Sequence, residues 1–226
     1  MGIKERQERE RQAVRDAILS AARDLFVTEG YRNVSMRKIA ERIEYSPAAI
    51  YSYFPNKDAI FFALAEEGFR LLAAAAGAAP AELSDPAERV RHAVWAFYEF
   101  SKQQPQYFEL MFVDRSVPSL NQDWHRFEFF HEVLARVETD IRTCSERGIF
   151  SAGLDASAAM HVLWAGMLGV ATINFANRLG PGEDPDALAH DTLATLMAGF
   201  TTTLHTTFVA TECFLTHEIE ATEHAS

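Results

Sequence analysis

Residues 35–57 read SMRKIAERIEYSPAAIYSYFPNK, and this stretch decides the fold. Ser35 is a good helix N-cap, and Met36, Ile39, Ala40 and Ile43 recur at the three- and four-residue spacing of one helical face. That predicts a first short helix over 36–43. Glu44-Tyr45 is the only punctuation before Ser46-Pro47, where a hydroxyl cap followed by proline at the first helical position starts a second helix, 47 to about 53. Two helices joined by three or four residues form a helix-turn-helix, the unit that lays its second helix in the major groove of DNA.

The order of residues resembles the DNA-binding domain of TetR-family transcriptional regulators. Ile39-Ala40, Ser46, Ile50-Tyr51, Tyr53-Phe54 and Lys57 stand where that family's pattern expects them. One position departs from it. Glu44 occupies the turn position that the family usually fills with glycine, which should cost roughly 1 kcal/mol if the turn needs a positive φ. The resemblance implies duplex operator DNA as a partner, with Tyr51 and Lys57 foremost among the phosphate contacts.

Composition sets the frame around this motif. The 226 residues are 48% hydrophobic, enough for a substantial core, and carry alanine-rich helical periodicity without sustained alternation. The expected fold is all-α with about nine helices. An N-terminal domain of residues 1–56 holds the helix-turn-helix, and 57–226 holds effector-binding and dimerisation functions. The runs 69–81 and 162–173 read as too short or interrupted for a bilayer, and the charged N-terminus is unlike a secretory leader, so a cytoplasmic protein without a membrane is expected. The net charge of −11 divides unevenly. Residues 1–60 hold 11 Lys+Arg against 9 Asp+Glu, whereas 61–226 hold 10 against 23. Only the N-terminal end is therefore expected to face phosphate.

Taken in order, residues 1–12 alternate in charge and read either as a solvated extension of the first helix or as a basic arm of Lys4, Arg6, Arg9 and Arg11. The first helix, about 10–28, carries its apolar face from Val14 to Phe26 and ends at Gly30. Asn56 caps a connecting helix over 57–76. Asp85-Pro86-Ala87-Glu88 restarts the chain as a helix that Pro105 stops, Glu88 reaching back to its start. A short helix follows around 105–113, and a long one is expected from about 120 to 147. Asp155 caps a helix to about 178 that Gly180-Pro181-Gly182 terminates, and Asp184-Pro185 caps a last one to about 211.

Candidate functional residues follow from these placements. For DNA, the first turns of the second helix present Ser46, Pro47, Ala48 and Ala49, of which proline and alanine make only apolar contacts, for example with thymine methyls. Tyr45, Tyr51 and Tyr53 are candidate phosphate hydrogen-bonders, with Arg37 and Lys57 supplying charge, and Ser35 is a further DNA-binding candidate. Tyr45 and Tyr53 have an alternative as packing between helices, and Phe54 reads as core.

Residues 95–130 hold eleven of the chain's 26 aromatic side chains. This density fits either a plain core or an apolar pocket lined by Phe108, Phe112, Trp124, Phe127, His131, Trp164 and Met167 for a small apolar or aromatic effector. TetR-family regulators generally bind effectors in this part of the chain. The last two helices resemble the pair that builds a four-helix bundle with its copy in a homodimer, with Phe175, Leu193, Leu196, Phe200 and Leu204 as interface candidates. Trp164, Gly166 and Gly169 resemble a pattern in one group of such C-terminal domains.

No nucleophile elbow, phosphate loop or HExxH is present, so no catalytic residue, metal or cofactor is expected. Cys213 and His217 lie one helical turn apart but supply only two ligands. The resulting expectation is a repressor released from a palindromic operator by an effector. A helical protein-interaction module that has lost DNA binding is the alternative.

Overall fold

The computed structural model describes residues 2–78, 83–120 and 126–202. Its elements in chain order are α1 (Ile3–Glu29), α2 (Met36–Arg42), α3 (Pro47–Tyr51), α4 (Lys57–Gly77), α5 (Pro86–Gln103), α6 (Pro105–Phe108), α7 (Glu128–Glu146), α8 (Ala156–Phe175) and α9 (Pro185–Gly199). A single 3-10 turn, Tyr31–Asn33, follows α1, and α6 runs into a wider π turn, Glu109–Val113. Among the described residues the fold is all-helical.

The helix starts are written in side chains that accept from first-turn amides. Ser35 Oγ accepts from Lys38 N at 3.2 Å, Ser46 Oγ from Ala49 N at 3.2 Å and Asn56 Oδ1 from Ala59 N at 2.8 Å. Asp85, Asp155 and Asp184 do the same for α5, α8 and α9. Each satisfies amides that a helix leaves without internal partners. Glu88 does not cap α5; it pairs with Arg91 at 3.3 Å.

Several boundaries differ from the sequence reading. The charged N-terminus is helical from Ile3, its acidic and basic side chains pairing at i,i+4, as in Arg6–Glu10 at 2.8 Å. Helix α3 ends at Tyr51 rather than 53. Helix α7 begins at Glu128, and residues 121–125 of its expected start lie outside the described residues. Helix α8 stops at Phe175 because Asn177 takes a left-handed φ of 49°, letting Arg178 N reach the Ile173 carbonyl at 3.0 Å. The expected continuation of α9 beyond residue 202 also lies outside them.

The chain forms two compact units, Met1–Leu72 with Phe100–Phe127, and Ala73–Glu99 with Glu128–Ser226. The division differs from the boundary expected at 56/57. Most of α4 and the whole α6 segment pack with the helix-turn-helix. In the first unit Ile18, Leu25, Phe26, Ile39, Ile50, Phe61 and Phe69 are fully buried. Helix α6 is held on α1 by Arg23 Nη1 donating to Tyr107 Oη at 2.7 Å and Gln106 Nε2 to Asp24 at 3.3 Å. Gly68 lets α4 approach α6 and its π turn closely, since a Cβ there would stand 3.1 Å from Tyr107 Cδ1 of α6 and overlap Met111 Sδ of the π turn.

In the second unit α8 packs on α7 and α9. Leu163, Met167, Leu193 and Phe200 fill its core with Tyr98, Ile141 and Cys144. Arg89 joins α5 to α7 through Asp140 and also donates to the Leu83 and Ser84 carbonyls at 3.1 Å each. Helix α8 is 20 residues long and apolar enough, by length and composition, to cross a membrane, which corrects the reading of this run as too interrupted. Core helices of soluble proteins meet the same test, and nearly half of this one is buried within the fold.

Candidate nucleic-acid interface

The sequence between α2 and α3 fixes how the two helices meet. Helix α2 ends in a Schellman motif, in which Tyr45 N donates to the Ala40 carbonyl at 2.9 Å and Glu44 N to the Glu41 carbonyl at 3.3 Å. This closure requires a left-handed residue at position 44, and Glu44 adopts it with φ 60°. The turn is thus the glycine-type turn made by a glutamate. Ser46 then caps α3, Pro47 occupies its first position and Ile50 is fully buried beneath it. Helices α2 and α3 pack on each other, and α2 packs on α1, so α3 presents its other side to solvent.

That exposed side carries the predicted readers. Pro47 and Ala48 are exposed and Ala49 is half-buried, while Tyr45 and Tyr51 stand 44% and 55% exposed. Large aromatic side chains in such positions bury little against their own chain and have a hydroxyl free to meet phosphate. Arg37 is exposed and held by Glu41 at 2.8 Å. Tyr53 is half-buried, with the Arg11 guanidinium 6.0 Å from its ring centroid, so it packs against the first helix. Phe54 is buried, as expected of a core residue, and Arg15 lies 5.4 Å from its ring.

Lys57 occupies a different place from the one its motif suggests. Its Nζ donates to the Tyr31 main-chain carbonyl at 2.7 Å and stands 4.1 Å from the centroid of the Tyr31 ring. Burial pushes its pKa down, with Asp58 opposing. The Tyr31 phenol donates to Asp58, and burial, reinforced by that carboxylate, raises its pKa far above the ordinary tyrosine range. Lys57 therefore ties the start of α4 to the 3-10 turn that follows α1. Lys38 is similarly held by Glu29.

The cations that sequence reasoning passed over are Arg32 and Arg42. Both are exposed and neither has a hydrogen-bond or ion-pair partner among the described residues. Arg42 stands in the last turn of α2, next to the Glu44 turn. The available signal was the missing acidic residue at i±4 on its helix, which Arg37 has in Glu41.

Residues 18–64 match the family model "Bacterial regulatory proteins, tetR family", and residues 90–196 match "Tetracyclin repressor-like, C-terminal domain". The chain belongs to the TetR family. It is 31% identical over 98 residues to the HTH-type transcriptional activator FasR of Mycolicibacterium smegmatis, covering 43% of this chain and 45% of that one. It is 31% identical over 136 residues to the HTH-type transcriptional regulator HbdR of Aromatoleum sp., covering 59% and 58%. The matched region thus spans about half the length of these relatives. In fold it is similar to the fatty acid degradation regulator FadR of Bacillus halodurans, with a TM-score of 0.66 at 18% identity, covering 81% of this chain and 94% of that structure.

In this TetR-family chain the aromatic candidates divide between the two units. Phe108 and Phe127 are fully buried in the first, where Phe127 tilts on Phe69 at 4.7 Å between centroids and the half-buried Phe112 meets both Phe69 and Phe108. His131, Trp164 and Met167 belong to the second; Met167 is core, His131 half-buried and Trp164 41% exposed. Trp124 lies outside the described residues.

The interface candidates are redistributed too. Leu193 and Phe200 are each only 2% exposed, and Phe200 packs edge-on against Phe150, so the protomer's own core already covers them. Leu196 is half-buried against Gly166, Phe175 is half-buried, and Leu204 lies outside the described residues. The exposed apolar residues on α8 are instead Val162, Trp164 and Ile173, beside exposed Ala165 and Gly169. Among the described residues no cluster of three His, Cys, Asp or Glu could hold a metal; Cys213 and His217 are not among them.

Proposed function

We propose that the chain is a DNA-binding transcriptional regulator that sits on an inverted-repeat operator as a homodimer and is released when a small apolar or aromatic molecule binds it. The observation that carries the reading is the α2–turn–α3 unit. Ile39, Ala40 and Ile50 are buried behind it while Pro47, Ala48 and Tyr51 face outward, the disposition a helix needs to enter a major groove. Homodimerisation is supported by the exposed face of Val162, Ala165, Gly169 and Ile173, whose occupant is a second copy of the same helix pair. Tyr45, Tyr51, Arg37 and Arg42 supply phosphate contacts, and the protein works in the cytoplasm with the DNA it controls. Release follows linkage: an effector weakens DNA binding by favouring a dimer whose two recognition helices no longer match successive grooves.

The test is binding to duplex DNA flanking the chain's own gene, followed by fluorescence anisotropy against salt. Binding that falls steeply with salt and is lost with Tyr51→Ala supports the reading. Salt-insensitive binding, or binding indifferent to Tyr51, contradicts it.

A further inference from the structure

We infer that this protein reads its operator half-site chiefly through the C5-methyl groups of thymines, with Pro47, Ala48 and Ala49 of α3 as the reading surface. The inference deepens the DNA-binding reading above and rests on it. Helix α3 is five residues long, PAAIY, and Ile50 is turned into the core. Its solvent side therefore offers a proline ring, two alanine methyls and Tyr51. Both flanking hydroxyls are engaged with the helix's own backbone: Ser46 Oγ accepts from Ala49 N, and Ser52 Oγ donates to the Ala49 carbonyl at 2.6 Å.

No arginine, lysine, asparagine, glutamine or carboxylate lies between Tyr45 and Pro55. The paired hydrogen bonds that distinguish guanine from adenine need such side chains, so that part of the major-groove code is closed to this helix. Of the motif's cations outside α3, Arg37 and Lys38 are held by Glu41 and Glu29 and Lys57 by the Tyr31 carbonyl, while the unpaired Arg42 stands in the last turn of α2, where the DNA-binding reading gives it a phosphate rather than a base edge. The thymine methyl is the one apolar group that a base pair presents in that groove, and small apolar side chains are what can cover it. Ala48, the most outward of the two alanines, is the central specificity-determining residue.

The experiment compares a bound duplex with the same duplex carrying deoxyuridine in place of thymidine in the half-sites, which removes methyls and leaves every hydrogen-bonding edge intact. Each contacted methyl removed should weaken binding by about fourfold, the equivalent of one buried methyl group, without changing the salt slope. Uridine placed only between the half-sites should change nothing. A C·G pair at a contacted T·A position should lose affinity, and 5-methylcytosine there should recover part of it. Ala48→Gly should shrink the thymidine-to-uridine ratio. Equal binding of thymidine and uridine half-sites overturns the methyl readout while leaving DNA binding intact. Failure to bind the thymidine duplex at all overturns the DNA-binding reading itself.

Discussion

The ammonium of Lys57 donates to the carbonyl of Tyr31 at 2.7 Å, closing the 3-10 turn after the first helix onto the start of the fourth. The family motif alone assigns this lysine to phosphate. In the structure one of its three donors holds α4, the helix that follows the recognition element, against the 3-10 turn. Lys57→Met keeps the stem and removes the donor, so it should cost about 1 kcal/mol of stability. It should lower the log–log salt slope of DNA binding by well under one unit. Denaturant melts and anisotropy titrations check the two separately; a full unit of slope lost with unchanged stability would return Lys57 to the phosphate contacts.

Glu44 holds a conformation that glycine adopts without steric penalty. Glu44→Gly should stabilise the protein by about 0.5–1 kcal/mol, part of the relief being offset by the greater freedom of glycine in the unfolded chain. Because the Schellman closure stays the same, operator affinity should change little. Chemical denaturation of both forms decides it.

Gly68 is where α4 meets α6, and a methyl there would press on Met111 Sδ and come within 3.1 Å of Tyr107 Cδ1. Gly68→Ala should therefore destabilise by about 1–3 kcal/mol. Combining it with Met111→Ala should cost less than the two changes summed, since the added methyl fills space the methionine vacates. A double-mutant cycle by thermal melting measures that coupling.

Tyr107 is buried and hydrogen-bonded, and its pKa is pushed up to about 12, chiefly by burial and then by Glu67, with Arg23 opposing. The unfolded chain ionises from the ordinary value near 10, so this contribution to stability is complete below pH 10 and is lost as pH rises toward 12. Tyr107→Phe should be less stable at pH 7 and should lose stability less steeply between pH 10 and 12. Urea midpoints measured across that range check the sign.

The proposed dimer face can be tested by contrasting exposed with buried positions. Val162→Glu or Ile173→Glu should yield folded monomers by sedimentation with unchanged helix content, because both side chains are exposed in the protomer. Phe200→Glu should unfold the second unit instead, since it buries a charge where 2% of the side chain is exposed.

These contrasts mark where the sequence was readable. Helix starts were legible at Ser35, Ser46, Asn56, Asp155 and Asp184 because each cap is a local side-chain-to-amide bond. The strained turn was legible from Glu44 standing at a glycine position. The end of α8 was missed because Asn177, which also tolerates a left-handed φ, stops it before the glycines do. Which residues of α8 and α9 face inward was not legible, since a helix apolar all round has no polar stripe to orient it. Nor could spacing show that the segment of α6 packs with the helix-turn-helix, or that Lys57 reaches a carbonyl 26 residues earlier, because both depend on long-range packing.

Selection of bound duplexes from a random-sequence pool, at moderate salt with the full chain, tests the account most directly. The predicted result is enrichment of an inverted repeat whose half-sites lie a whole number of helical turns apart, roughly 34–36 Å or a multiple, with thymines at fixed positions in each half. A pool that stays unenriched through repeated rounds would contradict it.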